Sequence, residues 1–206
     1  MSDPGSLIPI SDEQAKAIQD VLKILKGMGG FLKETVGTVP EDLVGILVGD
    51  WLKVRRAENL VRMLRKARER LDERKIETEP PSISIARPLM IAAADEDRDE
   101  LQDIWARLLA AAADPARAKS FRLRFITVAK EMDPLDATVL EQVSTHYNGR
   151  VTGDMRNQIA DTLGRKRDEV DISIDNLSDL RLLGIPSPPD GVMTHFGREF
   201  LRAISD

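Results

Sequence analysis

Glycine is absent from Trp51 to Asn148, whereas Gly5, Gly27, Gly29, Gly30, Gly37, Gly45 and Gly49 crowd the first fifty residues. So abrupt a change in backbone chemistry marks a structural boundary, with glycine-punctuated pieces before it and long uninterrupted elements after it. The side chains say what those elements are. Of all residues 32% are charged, 42% apolar and only 4% aromatic, a balance that suits helices and lacks the β-branched and aromatic runs of a β-sandwich. A chain of 206 residues fits one large domain or two small ones with a real core.

The front segment reads as an amphipathic helix. Ser11 can cap it, Gln14 stands at the reciprocal capping-box position, and Ala17, Ile18, Val21, Leu22, Ile24 and Leu25 follow before the Gly27 to Gly30 cluster ends it. A short helical piece, Phe31 to Val36, is broken by Gly37 and Pro40. Pro40, Glu41 and Asp42 form a favourable helix start, and the next proline is Pro80, so one helix is expected from Pro40 to about Ile76. At about 55 Å it must be packed along its side or belong to an assembly. Ala57, Leu60, Leu64, Ala67 and Leu71 form its apolar stripe.

Pro80 and Pro81 with Ser82 and Ser84 make a linker. After Pro88 two helices are expected, Leu89 to Ala94 and Asp95 to Ala113, the second with Leu101, Ile104, Trp105, Leu108 and Leu109 on one face. Asp114-Pro115 ends it, Ser120 to Met132 forms another, and Asp133-Pro134-Leu135-Asp136 caps a helix running to about Tyr147. A turn at Asn148-Gly149, a helix of about Asp154 to Leu163, a turn at Gly164 and a helix of about Asp168 to Leu183 follow. Two short extended pieces around Pro186 to Gly191 and a helix from Phe196 to Ile204 complete the order of a winged-helix unit. The predicted fold class is all-α: N-terminal helices plus a long basic helix, a helical middle, and a C-terminal winged-helix-like module with a small β wing. Its expected divisions are 1–39, 40–132 and 133–206.

Thirty Lys and Arg against thirty-five Asp and Glu leave net −5, so attraction to nucleic acid or anionic lipid has to be local. The long helix supplies such a place. From Lys53 to Lys75, ten cations face four acids, and Arg55, Arg62 and Lys66 fall within about 40° of one another on the helix. With Arg65 and Arg70 they are candidates for binding a phosphate chain, an anionic lipid surface or an acidic protein face. The alternative is a solvated face paired within the fold. Its partner would be Asp95, Glu96, Asp97, Asp99, Glu100 and Asp103, a cluster opposed only by Arg98.

That cluster does not read as a calcium loop, because Glu100 and Ala106 stand where glycine and a bidentate glutamate are required. An acidic first helical turn accounts for it, and no metal is expected. The presumptive recognition helix carries Asp168, Glu169, Asp171, Asp175 and Asp179 against Arg181 and the preceding Arg165, Lys166 and Arg167. Phosphate repels such a face, so sequence-specific duplex DNA is not an expected partner, and protein contact or plain structural use is preferred. Catalysis finds little support. His146 and His195 are far apart, no P-loop is present, and Gly27-Met28-Gly29-Gly30 lacks the dinucleotide spacing. A non-enzyme without cofactors is the expectation, in a cytoplasmic setting, since the chain has no cysteine and its N-terminus shows no signal or transit pattern.

From Ile24 to Leu52, glycines are mixed with Phe31, Leu43, Ile46, Leu47 and other apolar residues. Glycine weakens a water-exposed helix but permits close helix approach in a bilayer or an oligomer seam. Trp51 followed by Lys53, Arg55 and Arg56 is patterned like an interfacial anchor. Phe31, Leu43, Ile46, Leu47 and Trp51 are therefore candidates for either a membrane-active or an oligomer segment. The least charged run, Leu43 to Leu52, is only about half the roughly 20 residues of a spanning helix.

Several stretches together resemble the abortive-infection alpha family. They are Gly49-Asp50-Trp51-Leu52-Lys53-Val54-Arg55-Arg56, the run from Asp95 to Ala110 with Asp114-Pro115, Met132-Asp133-Pro134-Leu135-Asp136, and Met193-Thr194-His195-Phe196-Gly197-Arg198-Glu199-Phe200. The likeness covers about Leu43 to Ile204 and is most specific in Leu101-Gln102-Asp103-Ile104-Trp105-Ala106-Arg107-Leu108-Leu109. Met193 departs from the leucine of that pattern. The resemblance implies a part in bacterial antiphage defence, as an effector harming the infected cell, in some cases at its membrane, and restrained by a partner or an oligonucleotide. It carries over no catalytic residue. A homo-oligomer, a regulatory protein encoded nearby, a short single strand on the basic helix and inner-membrane contact are the expected partners. A soluble adaptor or regulator gripping a protein through the winged helix is the rival reading.

Overall fold

The computed structural model describes residues 51–187 and 190–205. The predicted helices before residue 50, and with them Phe31, Leu43, Ile46 and Leu47, lie outside the described residues. Helix α1 (Trp51–Glu73) lies along α3 (Asp99–Ala113) and also meets α2 (Ile83–Ala94). Its predicted stripe is buried throughout, and Val61, Met63 and Asn59 join it, because the helix is covered from two sides. Asn59 donates to the Ala94 carbonyl at 2.9 Å and Gln102 to that of Ala93 at 3.1 Å, so two buried amides satisfy the end of α2.

Helix α1 stops short of Ile76. The Ile76 N–H reaches the Leu71 carbonyl and the Lys75 N–H that of Asp72, both at 3.0 Å, with Lys75 left-handed at φ 52°. This closes the helix as a glycine would, on a lysine.

Helix α2 begins at Ile83, ahead of Pro88 rather than after it. A proline there removes one hydrogen bond, and the carbonyl it leaves open is that of Ser84, an exposed residue that water can satisfy. Ala86, Leu89, Met90, Ala92, Ala93 and Ala94 are buried and hold the helix in place.

Asp95 to Arg98 form a bend rather than the first turn of the next helix, which starts at Asp99 with Asp99 and Glu100 at its positive end. The expected helix from Ser120 is shorter. A turn of helix, α4 (Pro115–Ala118), is capped by Asp114 accepting from the Ala116 N–H at 2.9 Å, and α5 runs Leu123–Glu131.

The last third is α6 (Pro134–Thr145), β1 (Arg150–Val151), α7 (Gly153–Leu163), α8 (Arg167–Asp179), β2 (Leu183–Ser187), β3 (Asp190–Met193) and α9 (His195–Ile204). The three strands form an antiparallel sheet in the order β1-β3-β2, with Val151 opposite Gly191 and Leu183 opposite Met193. The turn at Asn148-Gly149 is as expected, both residues having positive φ. The strand after it is too short to show alternation in sequence. Helix α8 ends at Asp179, short of Leu183, through the same closure as α1: Arg181 is left-handed at φ 62°, and the Leu182 N–H reaches the Leu177 carbonyl at 2.9 Å.

One hydrophobic cluster runs from α1 through α9. Trp105, Phe125 and Phe200 are its largest fully buried side chains, and the Phe125 ring lies 5.6 Å from those of Phe121, Phe196 and Phe200. Arg107 donates to the Ile204 carbonyl at 2.9 Å and Arg117 to that of Ser205 at 2.8 Å, so cations from the body close the negative end of α9. At the other end of α9, Gly197 sits against the Leu182 carbonyl so closely that a Cβ would overlap it.

Candidate functional site

The basic helix and the acidic cluster meet. Arg56 pairs with Asp95 at 2.5 Å, Arg62 with Asp99 at 2.9 Å, Arg70 with Asp103 at 2.5 Å, and Lys66 reaches Asp103 at 3.9 Å. Arg62 also donates to the Asp97 carbonyl at 3.2 Å, and Arg107 takes the second oxygen of Asp103 at 2.7 Å. Residues more than thirty apart in sequence thus form an electrostatic seam between α1 and the start of α3.

Within it the pairs differ in weight. Arg56–Asp95 and Arg62–Asp99 have an exposed carboxylate and contribute about 0–1 kcal/mol each. Asp103 is half-buried and shared. Desolvation works to raise its pKa, but the Arg107 hydrogen bond and the Arg107 and Arg70 charges outweigh it and hold the carboxyl below its ordinary range. Beside the seam, Arg98 folds onto Glu96 at 2.8 Å and reaches Asp133 at 3.0 Å. The Glu96 hydrogen bond, against some desolvation, holds that guanidinium above its usual pKa.

Of the candidate anion-binding residues, then, Arg62, Lys66 and Arg70 each have an acid of the same chain beside them. Arg55 and Arg65 are exposed on the helix. Trp51 is the first residue of α1, and its side chain lies outside the described residues.

Helix α8 presents a second charged surface, with the opposite outcome. Its inner side is tied down: Val170, Ile174 and Leu177 are buried, Arg156 on α7 donates to Asp171 at 2.9 Å, and Asn176 donates to buried Asp136 on α6 at 2.6 Å. Burial raises the Asp171 pKa, but hydrogen bonds from Arg156 and Arg167 overcome it and leave the carboxyl below its ordinary range. On the outer side, Asp168, Ile172, Asp175 and Asp179 follow helical spacing and all face solvent. Ile172 is 70% exposed. Sequence reasoning overlooked it, although an isoleucine between Asp171 and Asp175, out of phase with Val170, Ile174 and Leu177, was a readable signal. Of the cations at the helix start, Arg167 is taken by Asp171 at 2.9 Å and Arg165 lies 3.8 Å from Glu169.

His146 follows the end of α6 and His195 opens α9, where its Nδ1 lies 2.9 Å from an Arg198 nitrogen. Each is exposed. Among the described residues no group of three or more His, Asp or Glu is arranged to hold a metal ion, and no helix is long and apolar enough to cross a membrane.

The family model described as abortive infection alpha matches residues 55–193, most of the chain and all of the seam and α8. The chain belongs to the abortive-infection alpha family. No curated protein and no solved structure matches it. The abortive-infection alpha match begins at Arg55, so the glycine-rich front precedes it, and it ends at Met193, just before α9.

Proposed function

We propose that this abortive-infection alpha protein is a non-enzymatic antiphage effector whose helical body restrains a membrane-active front segment until infection. The observation that supports this reading is the division of chemistry along the chain. Arg56, Arg62, Lys66 and Arg70 of α1 are met by Asp95, Asp99 and Asp103, so that part of its basic face is engaged within the body. The run before it combines glycines with Phe31, Leu43, Ile46 and Leu47, and leads into Trp51, Lys53, Arg55 and Arg56. Recruitment from the cytoplasm to the inner membrane would follow release from a partner encoded nearby or from an oligonucleotide. Leakage of dye from anionic vesicles, with the protein freed of its partner, is the direct test. No leakage under any trigger, together with unchanged membrane potential during infection, would rule the reading out.

A second reading rests on α8. The run from α6 to α9 has the order of a winged-helix module, and its exposed Asp168, Ile172, Asp175 and Asp179 suit a basic protein segment with an apolar anchor better than a phosphate backbone. On that reading the chain is a soluble adaptor, and producing it alone is harmless, whereas the unrestrained effector is toxic. Under either reading, a short single strand would bind through Arg55 and Arg65. Reversing Arg62 and Lys66 would also break the seam, so Arg55→Glu with Arg65→Glu is the cleaner test of salt-dependent binding.

A further inference from the structure

Between α2 and α5 the surface opens into a groove of about 630 Å³. Its walls carry Pro88 and Ile91 from α2 and Leu123 and Ile126 from α5, with Asp95 at one rim and Lys130 on α5. Ile91 is 41% exposed and Leu123 53%, and Ile83 on the same α2 is 59% exposed. These are among the few large apolar side chains that the described residues leave in water, and they belong to two adjoining elements. A stripe of this kind, edged by charge, fits the apolar face of an amphipathic helix.

The place where the chain enters the described structure identifies an occupant. Asp95 on the groove rim is the ion-pair partner of Arg56 at 2.5 Å. Trp51 lies five residues earlier on α1, about 7.5 Å along the helix axis. The described chain therefore begins on the same α1 whose Arg56 reaches the groove rim, about one and a half helical turns from that contact. Within the fifty residues ahead of α1, the stretch Ser11 to Lys26 has the capping-box start and an apolar face of Ala17, Ile18, Val21, Leu22 and Leu25. The connection from Gly27 to Asp50 can span at most about 80 Å, ample to let that stretch turn back, and a tether raises its local concentration far above that of a free partner.

We propose that residues 11–26 dock as an amphipathic helix in the α2/α5 groove, against Ile91 and Leu123. The docking stands on the groove and the chain entry. Its meaning as restraint of a membrane-active segment rests on the effector reading above.

The chain has no cysteine, so a paired substitution reports proximity without background. In the full chain, Leu22→Cys with Ile91→Cys should give an intrachain disulfide on mild oxidation, its yield unchanged by about tenfold dilution. Leu22→Cys with Ile172→Cys on the outer face of α8 should give none. Equal yields from the two pairs would overturn the proposal, and so would interchain dimers dominating the first pair, which would assign the groove to a second copy. Independently, Ile91→Asp with Leu123→Asp, at exposed positions that tolerate charge, should raise tryptic cleavage after Lys16, Lys23 and Lys26 about tenfold, because cleavage follows the undocked population. An unchanged rate in a variant of unaltered melting temperature would overturn it as well. Vesicle leakage separates the two ideas. Released but harmless chains would leave the docking intact and remove the effector reading, while leakage without any cross-link would do the reverse.

Discussion

Helices α1 and α8 are both charge-rich, are both closed by a cation in the left-handed conformation, and face opposite fates. Arg56, Arg62 and Arg70 of α1 find Asp95, Asp99 and Asp103 across a helix interface, so the charge on that side of the helix is met within the fold while Arg55 and Arg65 stay exposed. The acids of α8 divide: Asp171 is held by Arg156 and Arg167, while Asp168, Asp175 and Asp179 stay in water around exposed Ile172. A charge run is therefore no guide to a binding surface until its neighbours are known. What separates the two helices is whether a complementary element lies alongside.

The largest expected effect strikes the corner that sets the position of α8. Gly197→Ala places a Cβ into the Leu182 carbonyl, a backbone atom that cannot swing aside, and should destabilise the protein by about 3 kcal/mol or more in urea unfolding. If α8 loses its exposed face as a result, partner capture through that face falls with it.

Next comes the seam. Asp103→Ala strips a shared acceptor from Arg70 and Arg107 and should cost about 1–2 kcal/mol, whereas Asp175→Ala on α8 should stay within about 0.5 kcal/mol. Equal costs would erase the contrast. The same acids make a pH prediction. Asp103 and Asp171 have folded pKa values below the unfolded one, so their stabilisation is complete above about pH 4 and is lost as pH falls through the folded values. Asp103→Asn should flatten part of that acid limb in melts recorded from neutral pH downward.

A smaller gain is expected where the helices agree. Lys75→Gly and Arg181→Gly relieve left-handed strain and should each stabilise by about 1 kcal/mol, measured as a higher denaturant midpoint at constant slope. The smallest effect on stability sharpens the comparison most: Ile172→Ser should leave the melting temperature nearly unchanged yet weaken capture of any basic protein partner of α8.

Much of this was legible beforehand because it is local. The stripe Ala57, Leu60, Leu64, Ala67 and Leu71 lies where its spacing put it, as do the helix start at Asp133-Pro134-Leu135-Asp136, where the Asp136 carboxylate accepts from the Asp133 N–H, and the turns at Asn148-Gly149 and Gly164. Helix ends were misjudged where a lysine or an arginine does the work of glycine, since nothing in Lys75 or Arg181 announces a left-handed residue. Pro88 misled for a related reason: the Ser84 carbonyl it orphans is open to water and the buried side chains of α2 hold the helix across it, and neither fact is written in the proline.

By itself, then, the sequence determined the helical class of this protein, the periods of its buried faces, and the opposed charge of two distant stretches, because helical spacing and capping act over a few residues. Only the tertiary structure decided that Arg56, Arg62 and Arg70 spend their charge on Asp95, Asp99 and Asp103 while Ile172, Ile91 and Leu123 remain in water. Ion pairing and burial depend on which elements lie side by side, and residues more than thirty positions apart become neighbours only when the whole core closes.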